Sequence, residues 1–235
     1  MKLSVVIPAY NEEATIAETI ALVKAVDLGA IAMEIVVVDD GSKDRTRKIL
    51  ETIPGINVVL QERNAGKGAA VKRGFQAATG DLVLIQDADL EYDPQDYPAL
   101  MQPIIEGRAD AVMGSRFLLE RLQFFGKGKK SPFFTHYIGN KLIVAFTNGL
   151  YGHSATDYEG CLKVFSKGLV DSLPIEANGF EYDNELICKL LRRGYRLVEV
   201  PIHYRPRTYE EGKKIKWQDG VLMLWTIVKW RFRSF

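Results

Sequence analysis

The sequence contains few residues of the kinds that cross-link a fold or hold a structural metal. Among its 235 residues are two cysteines and three histidines. Two cysteines cannot build a disulfide framework, and with three scattered histidines they give no zinc-ligand spacing. These numbers exclude a disulfide scaffold and a zinc fold. We interpret Cys161 and Cys188 as buried or incidental thiols of a reducing compartment.

An excess of charge of one sign is lacking as well. The chain has 31 Lys and Arg residues against 30 Asp and Glu residues. This balance provides no overall positive field, so we do not expect nucleic acid as a partner. The charges are unevenly distributed, with acidic residues concentrated at 87–96 and basic residues at 121–130 and 205–216.

Long hydrophobic runs are absent from the sequence. No segment approaches the ~20 apolar residues that cross a bilayer, and the longest candidate, 221–228, ends at Lys229. The apolar run at the N-terminus is too short for a signal peptide and carries no small-residue cleavage site. We therefore expect a cytoplasmic protein, with peripheral contact to the cytoplasmic face of a membrane as an open alternative.

The composition is that of an ordinary globular protein, with 47% apolar and 26% charged residues. Short β-branched runs alternate with helical patterns, which is typical of an α/β fold with a mostly parallel sheet. No internal repeat or linker interrupts this pattern. We predict one α/β domain over residues 1–216, followed by an amphipathic, basic and aromatic helix over 217–235.

The periodicity also predicts the individual elements. The predicted strands are 3–7, 34–39, 57–61, 81–86, 111–114, 162–165 and 196–201. The predicted helices are one capped by Asn11 and starting at Glu12, 67–78 closed by Gly80, 95–107 broken by two prolines, 135–151 and 180–193. Residues 118–134 are basic, glycine-rich and aromatic, and we interpret them as a mobile loop.

Two carboxylates follow the predicted strand 81–86 directly. Asp87 and Asp89 are one residue apart, so in an extended backbone they point the same way, and Glu91 extends the set. Carboxylate oxygens suit Mg²⁺ or Mn²⁺, which proteins often hold with one or two carboxylates plus substrate phosphates. A solvated turn is the alternative for an isolated Asp-X-Asp. The apolar strand before it favours a metal site.

Polar residues also follow the first two predicted strands. Asp39 and Asp40 begin an Asp-Asp-Gly-Ser turn, and the first strand ends in Pro8, Ala9, Tyr10, Asn11 and Glu12. Ligands of open α/β sheets bind at the carboxyl ends of strands, although a capped turn alone accounts for Asp-Gly-Ser. A third segment places Lys67 between Gly66 and Gly68 at a helix start, where backbone amides favour anions. That segment matches neither the Walker loop nor the dinucleotide fingerprint.

Taken in order, the segments 5–13, 36–42, 66–75, 87–91 and 114–116 resemble the family 2 glycosyltransferases. The likeness is greatest to the branch of dolichol-phosphate mannose synthases and polyprenyl-phosphate glycosyltransferases. It continues in 156–161, 179–186, 200–207 and 213–215, and so covers nearly the whole chain. The resemblance implies a Rossmann-like GT-A fold, a nucleotide-sugar donor, a divalent Mg²⁺ or Mn²⁺ ion and inversion at the anomeric carbon.

The resemblance also implies roles for individual residues. Asp87, Asp89 and Glu91 would meet the metal, and Asp89, Arg116 and Asp157 are the predicted catalytic residues. Arg116, Arg207 and Lys214 would face phosphates. The complete set of predicted donor-binding residues is Pro8, Ala9, Tyr10, Glu12, Asp39, Asp40, Lys67, Asp87, Ala88, Asp89, Arg116, Arg207 and Lys214.

The acceptor decides whether a general base is needed. A polyprenyl or dolichyl phosphate, the acceptor that the resemblance implies for a GDP-mannose or UDP-glucose type donor, is already anionic near pH 7 because second phosphate pKa values lie near ~6. A hydroxyl acceptor, on a glycan or small molecule, needs a base. Asp157, Glu159, Asp183 and Glu185 are candidates. For Glu181, Asp183 and Glu185 the alternative is a solvated first helical turn.

Three further alternatives remain open. The chain could bind a nucleotide sugar without catalysis, although its intact carboxylates and Arg116 disfavour this. The basic segment 205–216 is either a solvated loop or a segment that closes over the diphosphate. The helix 217–235 either lies in a membrane interface or packs on the domain core or a second copy.

Overall fold

The structure is a computed structural model that describes residues 1–119, 134–206 and 217–235. Within these ranges seven strands form one sheet in the order β3-β2-β1-β4-β6-β5-β7. The strands are β1 Lys2–Ala9, β2 Ala32–Asp39, β3 Asn57–Leu60, β4 Leu82–Ile85, β5 Ala111–Ser115, β6 Lys163–Ser166 and β7 Leu197–Pro201. All neighbours pair in parallel except β6, which is antiparallel to β4 and β5. The predicted α/β class with a mostly parallel sheet is confirmed.

Helices flank this sheet. They are α1 Ile16–Lys24, α2 Thr46–Glu51, α3 Lys67–Ala77, α4 Tyr97–Ile105, α5 Arg116–Leu119, α6 Phe134–Tyr151, α7 Lys167–Ser172, α8 Tyr182–Arg192 and α9 Trp217–Phe232. A 3₁₀ turn, Pro94–Asp96, precedes α4. The predicted loop 118–134 falls largely outside the described residues: its first two residues end α5, and Phe134 begins α6.

The core lies on both faces of the sheet. Val5, Val6 and Ile7 of β1 are consecutive and fully buried. Because successive side chains of a strand point to opposite faces, both faces must be covered. This explains why the strands read as continuous apolar runs rather than as alternating ones. Cys161 and Cys188 are free and buried, as predicted.

Two predicted helix boundaries are wrong. Asn11 does not cap a helix: it adopts a positive φ of 52°, and its Oδ1 accepts a hydrogen bond from the Lys43 amide at 2.8 Å, so α1 begins at Ile16. Gly80 does not close α3, which ends at Ala77. Gly80 instead approaches β1, where its amide donates to Ser4 Oγ at 2.8 Å and a Cβ would lie 2.6 Å from that oxygen.

The proline-containing segment 95–107 is not broken as predicted. Pro98 lies in the first turn of α4, where the missing amide hydrogen costs nothing. Pro103 lies near the C-terminal end, and its carbonyl accepts from the amides of Arg108 and Ala109. The six-residue helix α7 was not predicted, because its short sequence follows β6 without a separating turn.

Helix α9 packs on α8 and α6 along one side. Met223, Ile227 and Trp230 are buried and form a small apolar cluster with Ile143 of α6 and Cys188 of α8. The other side stays exposed, with Trp225 at 62% and Phe232 at 76%. Among the described residues, none of the helices has the length and apolar character needed to span a membrane.

The predicted site residues lie at one edge of the sheet, and the antiparallel β6 brings the segment before it to that edge. The carboxyl ends of β1, β2, β4 and β5 lie at one edge, since Ala9 is opposite Asp39 and β4 continues beside β1 through Gln86. Because β6 runs the other way, the segment 156–161 enters at this same edge. Residues distant in sequence therefore meet there.

Candidate active site

The predicted carboxylates lie directly beyond β4. Asp89 is 7% exposed, and its Oδ1 accepts a hydrogen bond from the Glu91 amide at 3.1 Å. Helix α1 holds the backbone between the two aspartates, because the hydroxyls of Thr15 and Thr19 donate to the Ala88 carbonyl at 2.9 and 3.0 Å. Hydrogen bonds from the N-terminal part of α1 and its N-cap Thr15 therefore hold this short turn in place.

Glu91 is oriented toward the segment after β7. Its Oε2 accepts from the Tyr204 hydroxyl at 3.1 Å, and its carbonyl accepts from the Arg205 amide at 2.8 Å. In the described part of the chain, no group of three or more Asp, Glu, His or Cys side chains stands close enough to hold a metal ion. Asp87, Asp89 and Glu91 are thus not gathered into one three-ligand cluster.

The chemistry of two carboxylates still fits a divalent cation. Mg²⁺ sites at phosphate-transfer centres usually take one or two protein carboxylates and complete their octahedron with phosphate oxygens and water. Asp87 and Asp89 would supply those one or two carboxylates. Their metal role, like that of Glu91, stays a prediction.

Asp87 forms an ion pair with Lys67, the first residue of α3. Lys67 Nζ lies 2.5 Å from Asp87 Oδ1, and the two side chains are 21% and 18% exposed. Lys67 also approaches Cys161 Sγ at 3.9 Å. Burial by itself lowers the pKa of Lys67, but the Asp87 carboxylate outweighs it and holds that pKa well above its usual value.

The start of α3 is anchored on both sides. The Asp40 carboxylate accepts four hydrogen bonds, from the Gln61 and Asn64 side chains and from the amides of Ala65 and Gly66, at 2.7–2.9 Å. Burial raises the pKa of Asp40, and the two amides oppose that rise. Asp40 therefore organises the loop before α3, and its predicted contact with the donor stays untested.

The first amides of α3 already have partners. Gly68 N donates to the Gly179 carbonyl at 3.2 Å, and Ala69 N donates to the Asn178 carbonyl at 3.1 Å. Gly66 has a φ of +103°, and a Cβ there would lie 2.3 Å from the Asn178 carbonyl oxygen. In the described state the loop 178–179 takes the amides of Gly68 and Ala69, and the Asp40 carboxylate is the anion that the preceding amides of this helix start bind.

A buried ion pair in α8 holds that loop. Glu185 and Lys189 are both fully buried, with Lys189 Nζ 2.5 Å from Glu185 Oε1. The Glu185 carboxylate also accepts from the amides of Glu176 and Ala177 at 2.8 and 2.7 Å. The solvated-turn alternative is therefore wrong for Glu185, and Asp183, at 9% exposure, does not fit it either.

A polar cleft of about 400 Å³ lies at the ends of β1, β2 and β3. Tyr10, one of the predicted donor-binding residues, lines this cleft. The remaining lining residues are Gly41, Ser42, Lys43, Arg47, Glu62, Arg63 and Asn64. Three cationic side chains make this cleft suited to an anionic or polar ligand.

Asp39 lies fully buried beside this cleft. Its Oδ2 accepts from Arg47 Nη2 at 2.7 Å and Nε at 3.1 Å, and its Oδ1 accepts from the Ser42 amide at 3.3 Å. Glu12 accepts from the Thr15 hydroxyl at 3.2 Å. Pro8 and Ala9 end β1 next to Asp39. The sheet thus brings the predicted nucleoside residues together, and sequence reasoning missed Arg47 and Arg63.

Arg116 and Asp157 form a buried, two-point ion pair. Arg116 Nε donates to Asp157 Oδ2 at 2.7 Å and Nη2 to Oδ1 at 2.8 Å, with side-chain exposures of 15% and 0%. The Arg116 and Glu159 amides donate to the same carboxylate. Burial raises the pKa of Asp157, but Arg116 outweighs it and lowers that pKa below its usual value.

This geometry makes Asp157 a poor general base. Both of its oxygens accept hydrogen bonds, and its basicity is reduced. Glu199 of β7 fixes the same segment by accepting from the amides of Thr156 and Asp157 at 2.7 and 2.8 Å. The arrangement is that of a rigid partner that orients the Arg116 guanidinium.

A second buried carboxylate group lies behind the β4 turn. Lys163 is fully buried and contacts Asp183 Oδ2 at 2.7 Å as well as the Gly160 carbonyl. Glu159 accepts from Asn184 Nδ2 at 2.8 Å. Burial, followed by the nearby Asp183 charge, raises the pKa of Glu159 to about 7. Sequence reasoning missed Lys163, although a lysine within the apolar strand 162–165 was a signal for a buried ion pair.

Two predicted phosphate contacts, Arg207 and Lys214, lie outside the described residues, as does nearly all of the basic segment 205–216. Their roles therefore stay predictions.

Comparison with known proteins gives the family. Residues 4–173 match the family described as Glycosyl transferase family 2. The chain belongs to this family. The resemblance predicted from the ordered motifs is thereby confirmed, and the relatives place the chain near the polyprenyl-phosphate branch.

Three relatives illustrate the range of this family. The low-salt glycan biosynthesis hexosyltransferase Agl6 of Haloferax volcanii is 35% identical over 208 residues, which are 88% of this chain and 49% of that protein. The dolichol-phosphate mannosyltransferase of Pyrococcus furiosus is 30% identical over 217 residues, 91% of this chain and 59% of that protein. The undecaprenyl-phosphate 4-deoxy-4-formamido-L-arabinose transferase of Proteus mirabilis is 29% identical over 228 residues, 90% of this chain and 62% of that protein. The chain thus spans between about half and three fifths of the length of these relatives.

Solved structures confirm the fold. Glucosyl-3-phosphoglycerate synthase from Mycobacterium tuberculosis, in complex with Mn²⁺, uridine diphosphate and phosphoglyceric acid, superposes with a TM-score of 0.73 at 23% identity. The match covers 100% of this chain and 80% of that one. The predicted GT-A fold is confirmed.

Proposed function

We propose that this domain transfers a hexose from a nucleotide-diphosphate sugar to a polyprenyl phosphate, with inversion at the anomeric carbon. The observation that carries the proposal is the sheet edge itself. Two carboxylates beyond β4 stand between a cation-lined cleft at β1–β3 and a rigid guanidinium at β5. Two of the relatives above are named for lipid-phosphate acceptors.

The donor would lie along this edge. The nucleoside would enter the cleft beside Tyr10 and Arg63, and the diphosphate would extend toward Asp87 and Asp89. These two aspartates would hold Mg²⁺ or Mn²⁺, which neutralises the negative charge that develops on the departing nucleotide. The solved relative that holds Mn²⁺ and uridine diphosphate supports the choice of ion class.

The chain's own cations would share that electrostatic task. The Arg116 guanidinium is held in one orientation by Asp157, so it needs no reorganisation when charge develops on a phosphate. By the family resemblance, Arg207 and Lys214 would add contacts to phosphates. Ala88, fixed by Thr15 and Thr19, would line the donor site through its backbone.

A phosphate acceptor suits the protonation chemistry of the site. Its oxygen is already anionic near neutral pH, because second phosphate pKa values lie near ~6. No strong base is then required, which agrees with the occupied oxygens and lowered pKa of Asp157.

A hydroxyl acceptor is the second candidate. The observation that favours it is Glu159, whose pKa of about 7 suits a general base at physiological pH. The Haloferax relative is named for glycan biosynthesis, which supports this class as well.

A lipid acceptor would bring the domain to a membrane surface. Helix α9 exposes Trp225 and Phe232, and α6 exposes Leu142 at 63%. Basic residues follow on α9, in the pattern of a helix that lies in a bilayer interface. Replacing Trp225 and Phe232 by alanine should reduce cosedimentation with anionic vesicles several-fold. Leu60→Ala, at an exposed position on β3, should leave it unchanged; equal binding by all three proteins would remove this part of the proposal.

The proposed reaction is tested by nucleotide release. The protein is incubated with Mn²⁺ and either GDP-mannose or UDP-glucose, with and without a short polyprenyl phosphate. Release of one nucleotide that depends on the lipid supports the proposal. Donor binding with release that depends instead on a sugar or glycan hydroxyl favours the second candidate, and the absence of both binding and release contradicts the two.

A further inference from the structure

We propose that Lys67 is the resident counter-ion of the donor carboxylates: its ammonium occupies the cation position beside Asp87 until donor and divalent metal bind together. The inference rests on the proposed function, because it takes Asp87 and Asp89 as the metal-facing pair. It adds a coupling between metal and donor that the family assignment does not contain.

The first support is the geometry of the ion pair. Lys67 Nζ lies 2.5 Å from Asp87 Oδ1, and both side chains keep about a fifth of their surface exposed. By contrast, the carboxylates of the Arg116–Asp157 and Glu185–Lys189 pairs are at most 1% exposed. A carboxylate that stays partly accessible to water is one that a competing cation can reach.

The second support is the anchoring of the Lys67 backbone. Asp40 holds the preceding amides of Ala65 and Gly66, and the loop 178–179 holds the following amides of Gly68 and Ala69. The backbone of Lys67 is therefore held on both sides. Only its four-carbon stem can move, and such a stem allows the ammonium to shift over several ångströms.

The third support is the position in the helix. The first turn of a helix favours acidic residues, because its unsatisfied amides carry partial positive charge. A lysine as first residue of α3 runs against this preference unless an anion faces it. Asp87 supplies that anion in the described state, and a donor diphosphate would supply it in the bound state.

Competition at Asp87 leads to coupled binding. A divalent cation arriving alone must displace the ammonium, so the pair weakens its binding. When a diphosphate binds together with the cation, its negative charge becomes the new partner of Lys67. The free-energy cost of displacing the ammonium from Asp87 is then offset. By linkage, each ligand then strengthens the binding of the other by the same factor.

The test measures Mn²⁺ binding without donor, by the electron paramagnetic resonance signal of free Mn²⁺. Lys67→Met removes the charge and keeps most of the stem. It should tighten Mn²⁺ binding by about tenfold, within the usual range of coupling factors. Lys67→Arg keeps the charge and should stay within about threefold of the wild type. Arg73→Met removes a charge from the exposed face of α3 and should have no effect.

A second titration uses UDP or GDP as the probe, corrected for Mn²⁺ bound by free nucleotide. The nucleotide should tighten Mn²⁺ binding to the wild type by about tenfold more than to Lys67→Met, because phosphate oxygens coordinate the ion in both proteins. Equal Mn²⁺ affinities for wild type and a folded Lys67→Met, or equal tightening in Arg73→Met, would overturn the inference. So would an undiminished nucleotide effect in Lys67→Met. Lipid-dependent transfer by the wild type is scored separately, so either proposal can fail alone.

Discussion

Two cation–aspartate pairs at the same edge of the sheet differ in how firmly they are held. Arg116 and Asp157 meet through two hydrogen bonds at 2.7 and 2.8 Å, with the carboxylate fully buried. Lys67 Nζ lies 2.5 Å from Asp87 Oδ1, and Asp87 keeps 18% of its side chain exposed. The first pair has the properties of a permanent scaffold, and the second has those of an exchangeable contact.

The difference follows from the residues and the topology. A guanidinium matches a carboxylate in a planar, two-point geometry, whereas an ammonium is a single point charge on a flexible stem. The antiparallel β6 brings Asp157 into the buried interior beside the end of β5. Asp87, by contrast, follows the carboxyl end of β4 and keeps 18% of its side chain exposed. One aspartate therefore orients a cation, and the other is the one for which we propose an exchange of its cation.

The largest expected effect concerns the carboxylates beyond β4, one of which is Asp87 of the Lys67–Asp87 pair. Asp89→Asn removes a predicted metal-facing charge and should reduce transfer by about 10²–10³-fold, the range for losing one electrostatic group aimed at developing charge. Steady-state transfer at saturating Mn²⁺ measures it. Asp171→Asn, on the surface of α7, is the matched control and should be unchanged. Full activity of Asp89→Asn would refute a metal role for Asp89.

The buried pair is expected to dominate stability. Asp157→Asn leaves the Arg116 charge buried without a counter-charge, which should lower the free energy of unfolding by about 3–5 kcal/mol. Urea denaturation measures the loss. Asp110→Asn is the control, because Asp110 and Arg196 form the same two-point pair at an exposed site, where removal should cost less than about 1 kcal/mol. Equal losses in the two variants would show that burial is not the cause.

Glu159 differs from Asp157 and Asp87, which face cations. Its described hydrogen bond comes from the neutral side chain of Asn184. Its pKa is about 7 in the folded chain against an ordinary value of 4.5. Between these values the folded state keeps a proton that the unfolded state has lost, so stability contributed by this group falls as pH rises through the window. Glu159→Gln should match the wild type near pH 4.5 and become the more stable protein above pH 7. Urea midpoints across this range measure the difference, and parallel curves would contradict the raised pKa.

A smaller effect on stability is expected for the Lys67–Asp87 pair. Lys67→Met should lower the free energy of unfolding by less than Asp157→Asn does, because Asp87 keeps 18% of its side chain exposed and Asp157 keeps none. The same urea experiment measures it beside Asp157→Asn. A loss as large as that of the buried pair would mean that Lys67 belongs to the scaffold, and the comparison between the two pairs would fail.

Local sequence pattern was sufficient for much of the fold and for the position of the site. An apolar run followed by Asp87-Ala88-Asp89 located a strand end with carboxylates, because the strand and its end are both local features. Tyr10 and Asp39 were placed at strand ends the same way, and the family resemblance supplied their predicted nucleoside role. The ordered motifs then supplied the family.

The partners of these residues could not be read from the sequence. Asp157 lies 41 residues from Arg116 and meets it because β6 is antiparallel, a property of the sheet rather than of any local segment. Lys67 meets Asp87, and the loop 178–179 covers the start of α3, through the same three-dimensional arrangement. Asn11 and Gly80 were assigned to helix ends for a similar reason, since their contacts across the fold outweigh local propensity.

The most direct test follows a labelled hexose from GDP-mannose or UDP-glucose into an organic-soluble polyprenyl phosphate in the presence of Mn²⁺. The proposed function predicts label in the organic phase with one of the two donors for the wild type, and about 10²–10³-fold slower transfer for Asp89→Asn. Label transferred equally by Asp89→Asn would contradict the role of the β4 carboxylates. Label transferred by the wild type only to water-soluble hydroxyl acceptors would contradict the lipid acceptor.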